Sequence, residues 1–414
     1  MMLAEKEGGK STVMRIAMFT NNYKPYIGGV PISVEHLAEA LRARGHKVWV
    51  FAPSYREQQG EEYVIRYPSF PLRIAGAPVP DVMTRLFVKK VKELQIDVIH
   101  VHHPALVGNV ALHIRKKLGI PVVFTYHTRY MEYLYYIRGL QTMEEHTGFL
   151  EWYLKCFCNR CDLVVAPTPG MRAYLYGKEI RKPVEVLPTG IPMDAFLPDR
   201  KKAAGIRNEY GKDTDYLFCT VSRLAAEKNL VFLLQGLACL KRLLKKKGKN
   251  FRHLMIGDGP QREKLAEMVG ELGLEENVAF VGMVENREIK NYQAACDAFL
   301  FTSKSETQGI VLLEAMAVGS PVIALDATGV RDIVSEGENG LLSDGDACQW
   351  AGEMSELLLK PDSLEKMRQA AVRTAMLYSE EEVARQAEQY YRKVCKKAAE
   401  VCEPVPVQEK ASMV

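Results

Sequence analysis

Apolar residues along this chain gather in short continuous runs, set apart by glycine-bearing loops and by longer stretches with a helical spacing of apolar positions. The first run is Ile16-Ala17-Met18-Phe19. A loop carrying Gly28 and Gly29 follows, and then an amphipathic stretch from about Ser33 to Arg44 that predicts a helix. Gly45-His46 closes it, and Lys47-Val48-Trp49-Val50-Phe51 reads as the next strand. Strand, glycine loop, helix and strand in that order make a right-handed crossover unit of a doubly wound sheet. The alternation continues with strands at Val98 to Val101, Val122 to Thr125, Leu163 to Ala166 and Val184 to Leu187, and a helix from Val107 to Lys117. A segment rich in aromatics, with Tyr130, Tyr133, Tyr135 and Tyr136, interrupts the series.

Residues from about Met193 to Asp215, with Pro192 and Pro198 at their start, predict a linker. The pattern then restarts. Strands are expected at Tyr216 to Val221, His253 to Ile256, Val278 to Val281, Ala298 to Phe301 and Val322 to Ala324. Helices fall between them, at Asn229 to Lys246, Gln261 to Leu272 and Ile310 to Val318, and the last helices cover about Leu364 to Lys397. The fold class expected is α/β, with two doubly wound sheets of similar size. The expected division is a disordered tail over 1–13, a first domain over 14–195 and a second over 196–375. A C-terminal helix over 376–402 would pack back on the first domain, and a disordered tail would cover 403–414. Ligands of such sheets bind outside the carboxyl ends of the strands, so two facing sheets imply a shared cleft.

Composition narrows the class without naming a chemistry. A net charge of +4 over 414 residues is too small to imply nucleic-acid binding. Lysine and arginine do cluster, at Lys89-Lys90-Lys92, at Arg115-Lys116-Lys117 and from Lys241 to Lys249. Such runs read first as solvated helix faces and secondly as a face for an anionic membrane. The nine cysteines are odd in number and scattered, and Cys219, Cys239 and Cys296 lie in apolar runs. Buried thiols in a reducing cytoplasm are therefore expected rather than a disulfide framework. The opening MMLAEKEGGKSTV is polar and is not read as a secretory leader, and no apolar stretch reaches the ~18 residues of a membrane span. The location expected is the cytoplasm, with peripheral attachment to the inner face of the cell membrane as the variant.

The sharpest chemical signal is the run Ser303-Lys304-Ser305-Glu306-Thr307-Gln308-Gly309-Ile310-Val311-Leu312-Leu313-Glu314-Ala315. It reads as a strand end, a polar loop, a glycine and the N-terminus of an apolar helix, where free N–H groups and the helix dipole suit a diphosphate. Glu306 and Glu314 are poor ligands for phosphate but good acceptors for sugar hydroxyls. Glu314 stands in an otherwise apolar run, where an unpaired carboxylate is costly. Arg223 and Lys228 are two cations five residues apart after a strand. His100, His102, His103 and His127 lie near the ends of two first-domain strands. Asp344-Gly345-Asp346 has the spacing of a metal-binding pair, yet a turn is the simpler reading, and no metal is expected.

These residues carry a resemblance. Glu306 and Glu314 in that spacing, with Ala315-Met316-Ala317-Val318-Gly319-Ser320-Pro321, resemble family-4 retaining glycosyltransferases of the GT-B fold. So do Val221-Ser222-Arg223-Leu224-Ala225-Ala226-Glu227-Lys228-Asn229, Ile256-Gly257-Asp258-Gly259-Pro260 and Pro25-Tyr26-Ile27-Gly28-Gly29-Val30. The resemblance covers about residues 14 to 395. It implies two Rossmann-like domains facing across a cleft, the first binding acceptor and the second a nucleotide sugar, with the C-terminal helix crossing back to the first.

Site roles follow from the same resemblance. Glu306 would bind hydroxyls of the donor hexose and Glu314 those of the ribose. Backbone amides at Gln308, Gly309, Ile310 and Val311 would hold sugar and diphosphate, and Arg223 and Lys228 would neutralise the leaving group. Gly282, Met283 and Val284 would receive the base edge, and Gly28 and Gly29 would let the backbone approach the phosphates. His127, in Tyr126-His127-Thr128, matches the family's active-site histidine, with His103 as a second candidate. No cofactor would be required beyond a UDP-sugar acting as donor.

Phe124-Thr125-Tyr126-His127-Thr128-Arg129-Tyr130, Ser305-Glu306-Thr307-Gln308-Gly309 and Asp326-Ala327-Thr328-Gly329-Val330-Arg331-Asp332 look most like bacterial 1,2-diacylglycerol 3-glucosyltransferases. That resemblance implies a lipid acceptor at an anionic membrane surface. The apolar, basic segment from Phe70 to Lys92 and the tyrosines from Tyr130 to Tyr136 are candidates to dock there. The alternatives are a polyprenyl-linked or soluble acceptor, a sugar-nucleotide epimerase of similar fold, and a two-lobed sugar-binding protein.

Overall fold

The computed structural model describes residues 13–26, 28–55, 60–74, 77–80, 84–127, 144–304, 306 and 308–402. The expected tails, apart from Val13, and the tyrosines at 130–136 lie outside these residues.

Strands β1 (Arg15–Phe19), β2 (Lys47–Pro53) and β3 (Val64–Tyr67) begin the first sheet, and a short hairpin of β4 (Ser69–Ile74) and β5 (Ala77–Pro80) lies apart from it. Strands β6 (Val98–Val101), β7 (Val122–Thr125), β8 (Leu163–Ala166) and β9 (Val184–Val186) complete it in the order β3-β2-β1-β6-β7-β8-β9. The second sheet holds β10 (Tyr216–Val221), β11 (Phe251–Ile256), β12 (Val278–Gly282), β13 (Ala298–Phe301), β14 (Val322–Leu325) and β15 (Gly340–Ser343), in the order β12-β11-β10-β13-β14-β15. Its pairings are all parallel. Helices cover both faces of such a sheet, so its inner strands must be apolar on both sides. The short runs seen in the sequence meet that demand, since β6, β7, β8, β13 and β14 are buried at every position.

The chain forms two compact units. The first runs to Thr125 and adds Cys156–Val164 and the chain from Ala384. The second comprises Tyr126–Lys155 and Val165–Val383. In the first, the part of the helix Glu380–Cys402 that runs from Ala384 is held by buried polar contacts. Tyr391 Oη lies 2.6 Å from His100 Nδ1, whose Nε2 is 2.6 Å from Thr125 Oγ1. Glu388 accepts from Arg44 at 2.8 and 3.0 Å and lies 3.4 Å from His46 Nε2. His100 and His102 are buried inside this unit, so they serve packing.

The second unit has two cores on opposite faces of one sheet. Phe218, Met255, Leu300 and Ile323 face the helix Leu230–Lys245. Their strand neighbours Cys219, Leu254, Phe299 and Val322 face the helix Ile310–Ala317. Side chains alternate across a strand, so each continuous apolar run feeds both cores.

Three expectations need correction. The stretch from Met193 to Asp215 is not an irregular linker, because a helix spans Arg200–Gly211. Asp199 caps that helix through the amides of Lys201 and Lys202, and Ala203, Ile206 and Tyr210 pack on the core. The first helix begins at Gly29 rather than near Ser33. The cysteines are not all free thiols, since Cys239 and Cys348 form a disulfide that joins two packed helices across 109 residues. Cys158, Cys161, Cys219 and Cys296 are buried free thiols.

Candidate functional site: a crevice at the switch point of the second sheet

The order of the second sheet reverses between β10 and β13, which lie side by side with Phe218 opposite Ala298. The helix after β10 covers one face and the helix after β13 the other, so the loops leaving these strands diverge. A crevice at their carboxyl ends is the place where open sheets of this kind bind ligands.

The loop after β10 carries Arg223 and Lys228, and the loop after β13 carries Glu306, Gln308 and Gly309. Hydrogen bonds stitch the two together. Asn229 Nδ2 donates to the Thr302 carbonyl at 3.2 Å, Thr302 Oγ1 to that of Lys228 at 3.1 Å, and Ser303 Oγ to that of Glu227 at 3.0 Å. Asn229 sits in the left-handed region at φ 55°, which asparagine tolerates. This framework brings Lys228 Nζ to 2.5 Å from Glu306 Oε1, with about a quarter of each side chain exposed. Arg223, more exposed, pairs with Glu227 at 2.5 Å. Burial raises the Glu227 carboxyl, but the hydrogen bond from Arg223 and the charges of Arg223 and Lys228 outweigh it and hold it below the usual range.

Gln308 is buried, and its carboxamide is fully engaged with the backbone of Thr189. Thr189 N–H donates to Oε1 at 2.7 Å, and Nε2 donates to the Thr189 carbonyl at 3.0 Å. The side chain thus anchors the loop, and Gln308 has its backbone left to present. Gly309 adopts φ 71°, the left-handed conformation that glycine permits, and as the N-cap residue it offers no side-chain cap to the helix Ile310–Ala317 behind it. The helix's first N–H groups are therefore a natural anion site. Glu314 lies in the second turn among Leu312, Leu313, Ala315 and Met316, and burial pushes its carboxyl up to about 7. Ser305 and Thr307 lie outside the described residues.

Gly282 ends β12 at φ 80°, and its carbonyl accepts from the Gly257 N–H at 2.8 Å. Met283 next to it is 76% exposed, while Val284 packs on the core. Gly257 and Gly259 have no room for a side chain. A Cβ on Gly257 would stand 2.0 Å from the Ser222 carbonyl, and one on Gly259 2.5 Å from that of Leu224. Glycine here lets the loops after β10 and β11 touch backbone to backbone. Asp346 of the Asp-Gly-Asp run caps the helix Ala347–Leu358 through the amides of Cys348 and Gln349, which is a structural use. Among the described residues no cluster of His, Cys, Asp and Glu is arranged to hold a metal.

Gly28 caps the helix Gly29–Ala43, and a Cβ on Gly29 would meet open space. His127 is the second residue after β7 and is half-buried. His103 emerges where β1 and β6 adjoin, the switch point of that sheet, and its Nδ1 accepts from the Asn21 N–H at 3.1 Å. That bond leaves the proton on Nε2, and burial pushes the ring pKa down to about 4. In the helix Thr84–Glu93, Phe87 and Val91 are buried, Phe87 against Phe19, Phe51 and Tyr67. Arg85, Lys89 and Lys92 stay exposed. Thr189 and Thr302 also hold the crevice together and were not marked by any sequence pattern, while Asn229 and Ser303 stood inside the quoted runs without a role of their own.

Two family models match the chain: "Glycosyltransferase Family 4" over residues 27–195 and "Glycosyl transferases group 1" over residues 203–374. An alpha-monoglucosyldiacylglycerol synthase of Streptococcus pneumoniae is 30% identical over 364 residues, 84% of this chain and 79% of that protein. The chain belongs to the family-4 glycosyltransferases. A synthase of the same name from Acholeplasma laidlawii is 28% identical, covering 91% of this chain and 96% of its own. Other relatives of this glycosyltransferase are named for mannosyl or sulfoquinovosyl transfer. Among solved structures, Anabaena HepE in complex with UDP-glucose superposes with a TM-score of 0.71 at 21% identity, covering 92% of this chain and all of that one. The fold is thus GT-B, two Rossmann-like α/β domains. Among the described residues no helix is long and apolar enough to cross a membrane.

Proposed function

We propose that this glycosyltransferase is a retaining hexosyltransferase that moves glucose from UDP-glucose to the free hydroxyl of diacylglycerol. The observation that carries the proposal is the Lys228–Glu306 pair, fixed beside the uncapped N-terminus of the helix Ile310–Ala317. An anion-binding terminus, a cation and a carboxylate are the three functions that a sugar diphosphate needs. Lys228, Arg223 and the amides from Gln308 to Val311 would meet the charge that develops on the diphosphate as the bond to the anomeric carbon breaks. Glu306 would accept hydroxyls of the hexose and Glu314 those of the ribose, with the base against Gly282, Met283 and Val284. Gly28, Gly29 and His127 take donor-facing roles by the family resemblance. No second nucleophile is assigned. The acceptor hydroxyl would attack on the face from which UDP departs and pass its proton to the departing diphosphate. Recovery of the inverted anomer would refute that step.

The lipid acceptor is supported by the names of the two synthases and by the exposed cations Arg85, Lys89 and Lys92. The protein would act peripherally on an anionic bilayer. The test is UDP release from UDP-glucose, with and without diacylglycerol in anionic vesicles, alongside Glu306→Ala. Lipid-dependent release that Glu306→Ala abolishes is expected. Release with a soluble or polyprenyl-linked acceptor and none with diacylglycerol would overturn the lipid assignment. Turnover of donor with no acceptor would point to an epimerase, and activity confined to GDP-mannose would overturn the donor.

A further inference from the structure

Cys239 lies on the helix Leu230–Lys245 and Cys348 on the helix Ala347–Leu358, with Cα atoms 5.3 Å apart and the sulfurs bonded. The two sulfurs differ in surroundings. Cys348 is exposed and is the second residue of its helix, where the backbone dipole favours a negative charge. Cys239 is 7% exposed and faces the core. Arg242, one turn beyond Cys239, sets its guanidinium 3.1 Å from the Cys239 sulfur and 3.8 Å from that of Cys348. Asp346 brings an opposing charge, but its carboxylate is engaged by the amides of Cys348 and Gln349 at 2.8 and 2.9 Å.

We propose that this pair is a reversible oxidation site, in which a hydroperoxide oxidises Cys348 first and Cys239 resolves it to the disulfide. The Cys348 thiolate attacks a peroxide oxygen, so that an S–O bond forms and the O–O bond breaks. The sulfur loses two electrons to the peroxide, and hydroxide or alkoxide leaves and takes up a proton. Cys239 then gives up its thiol proton and attacks the Cys348 sulfur. The S–S bond forms, the S–O bond breaks, and water departs. A dithiol reductant returns both sulfurs to thiols by exchange. The chemistry is selective for position. Burial pushes the Cys158 thiol up to about 12 and that of Cys395 up to about 11, which leaves them as unreactive thiols.

The bond ties together two helices on the same face of the second sheet, across 109 residues that include the loops after β12 and β13. Closing a loop of that length in the unfolded chain is expected to raise the unfolding temperature of this unit by roughly 5–10 °C.

The full chain would be reduced, desalted and treated with hydrogen peroxide with and without dimedone. Three results are expected: loss of two hydrogens by intact mass in the wild type, a dimedone adduct mapped to Cys348 in Cys239→Ser, and neither in Cys348→Ser. The rate of iodoacetamide labelling of reduced wild type against pH, read peptide by peptide, should place the Cys348 half-point below that of every other thiol. A dimedone adduct on another cysteine, loss of two hydrogens in Cys348→Ser, or a disulfide that a dithiol cannot reduce in the folded chain would each overturn the proposal.

Discussion

Replacing Glu314 by glutamine is expected to make the second unit more stable while weakening nucleotide binding, and the size of the gain follows from its surroundings. The carboxyl stands among apolar side chains, and burial raises it from an ordinary 4.5 to about 7. A carboxyl raised on folding holds its proton longer in the folded state than in the unfolded one. Below about pH 4.5 both states are protonated and the group costs nothing. Between about 4.5 and 7 the unfolded chain ionises first, and stability falls by about 1.4 kcal/mol per pH unit. Above about 7 the whole penalty is present, up to about 3 kcal/mol. Glutamine keeps the shape and escapes the penalty. Urea unfolding of wild type and Glu314→Gln, read from about pH 5 to about pH 8, should show a difference that is small in acid and grows to that ceiling. UDP titration over the same range should show wild-type affinity weakening below about pH 7, as the carboxylate proposed to accept ribose hydroxyls is lost. A stability difference that is flat with pH, or UDP affinity unchanged in the variant, would refute the reasoning.

Lys228→Ala should lower kcat by about 10²–10³-fold with modest change in UDP affinity, since the role proposed for its charge is to meet the diphosphate as it leaves; steady-state kinetics giving a larger effect on KM than on kcat would count against that role. Gln308→Ala removes both partners of the Thr189 backbone and should cost about 1–3 kcal/mol of stability, read by denaturation. Gln308→Glu keeps the acceptor for the Thr189 N–H and should recover part of it, and two variants of equal stability would rule out the anchor. For Glu388, burial works upward, but hydrogen bonds from Arg44, Arg392 and His46 outweigh it and hold the carboxyl at about 2. A carboxyl lowered on folding stabilises fully above its ordinary 4.5 and loses that stability as pH falls towards 2. Glu388→Gln should therefore blunt the acid loss of stability in the first unit, and an unaltered acid profile would exclude Glu388 as its source.

The second sheet was read off the chain almost strand for strand, because parallel strands buried on both faces must be short continuous apolar runs. Its last strand, β15, was not, since Gly340-Leu341-Leu342 is too brief to stand out beside the turn that follows. The helix Arg200–Gly211 was missed for a related reason. It is largely polar and held by one cap and by packing on a core from elsewhere in the chain, so its own sequence carries little period. Glu306, Gln308, Gly309 and Glu314 stand out in the sequence as candidates because one run of residues carries loop, glycine and helix together.

By itself the sequence determined the repeating crossover units, the glycine at the helix start and the residues that carry charge, all of which are properties of neighbours along the chain. Tertiary structure alone decided that Lys228 meets Glu306, that Gln308 is spent on Thr189, that Phe87 faces the core rather than an open surface, and that Cys239 bonds to Cys348. Each of those depends on strands or helices far apart in sequence becoming neighbours in space. That contact is set by sheet order and by which face each helix covers, and no local pattern encodes either.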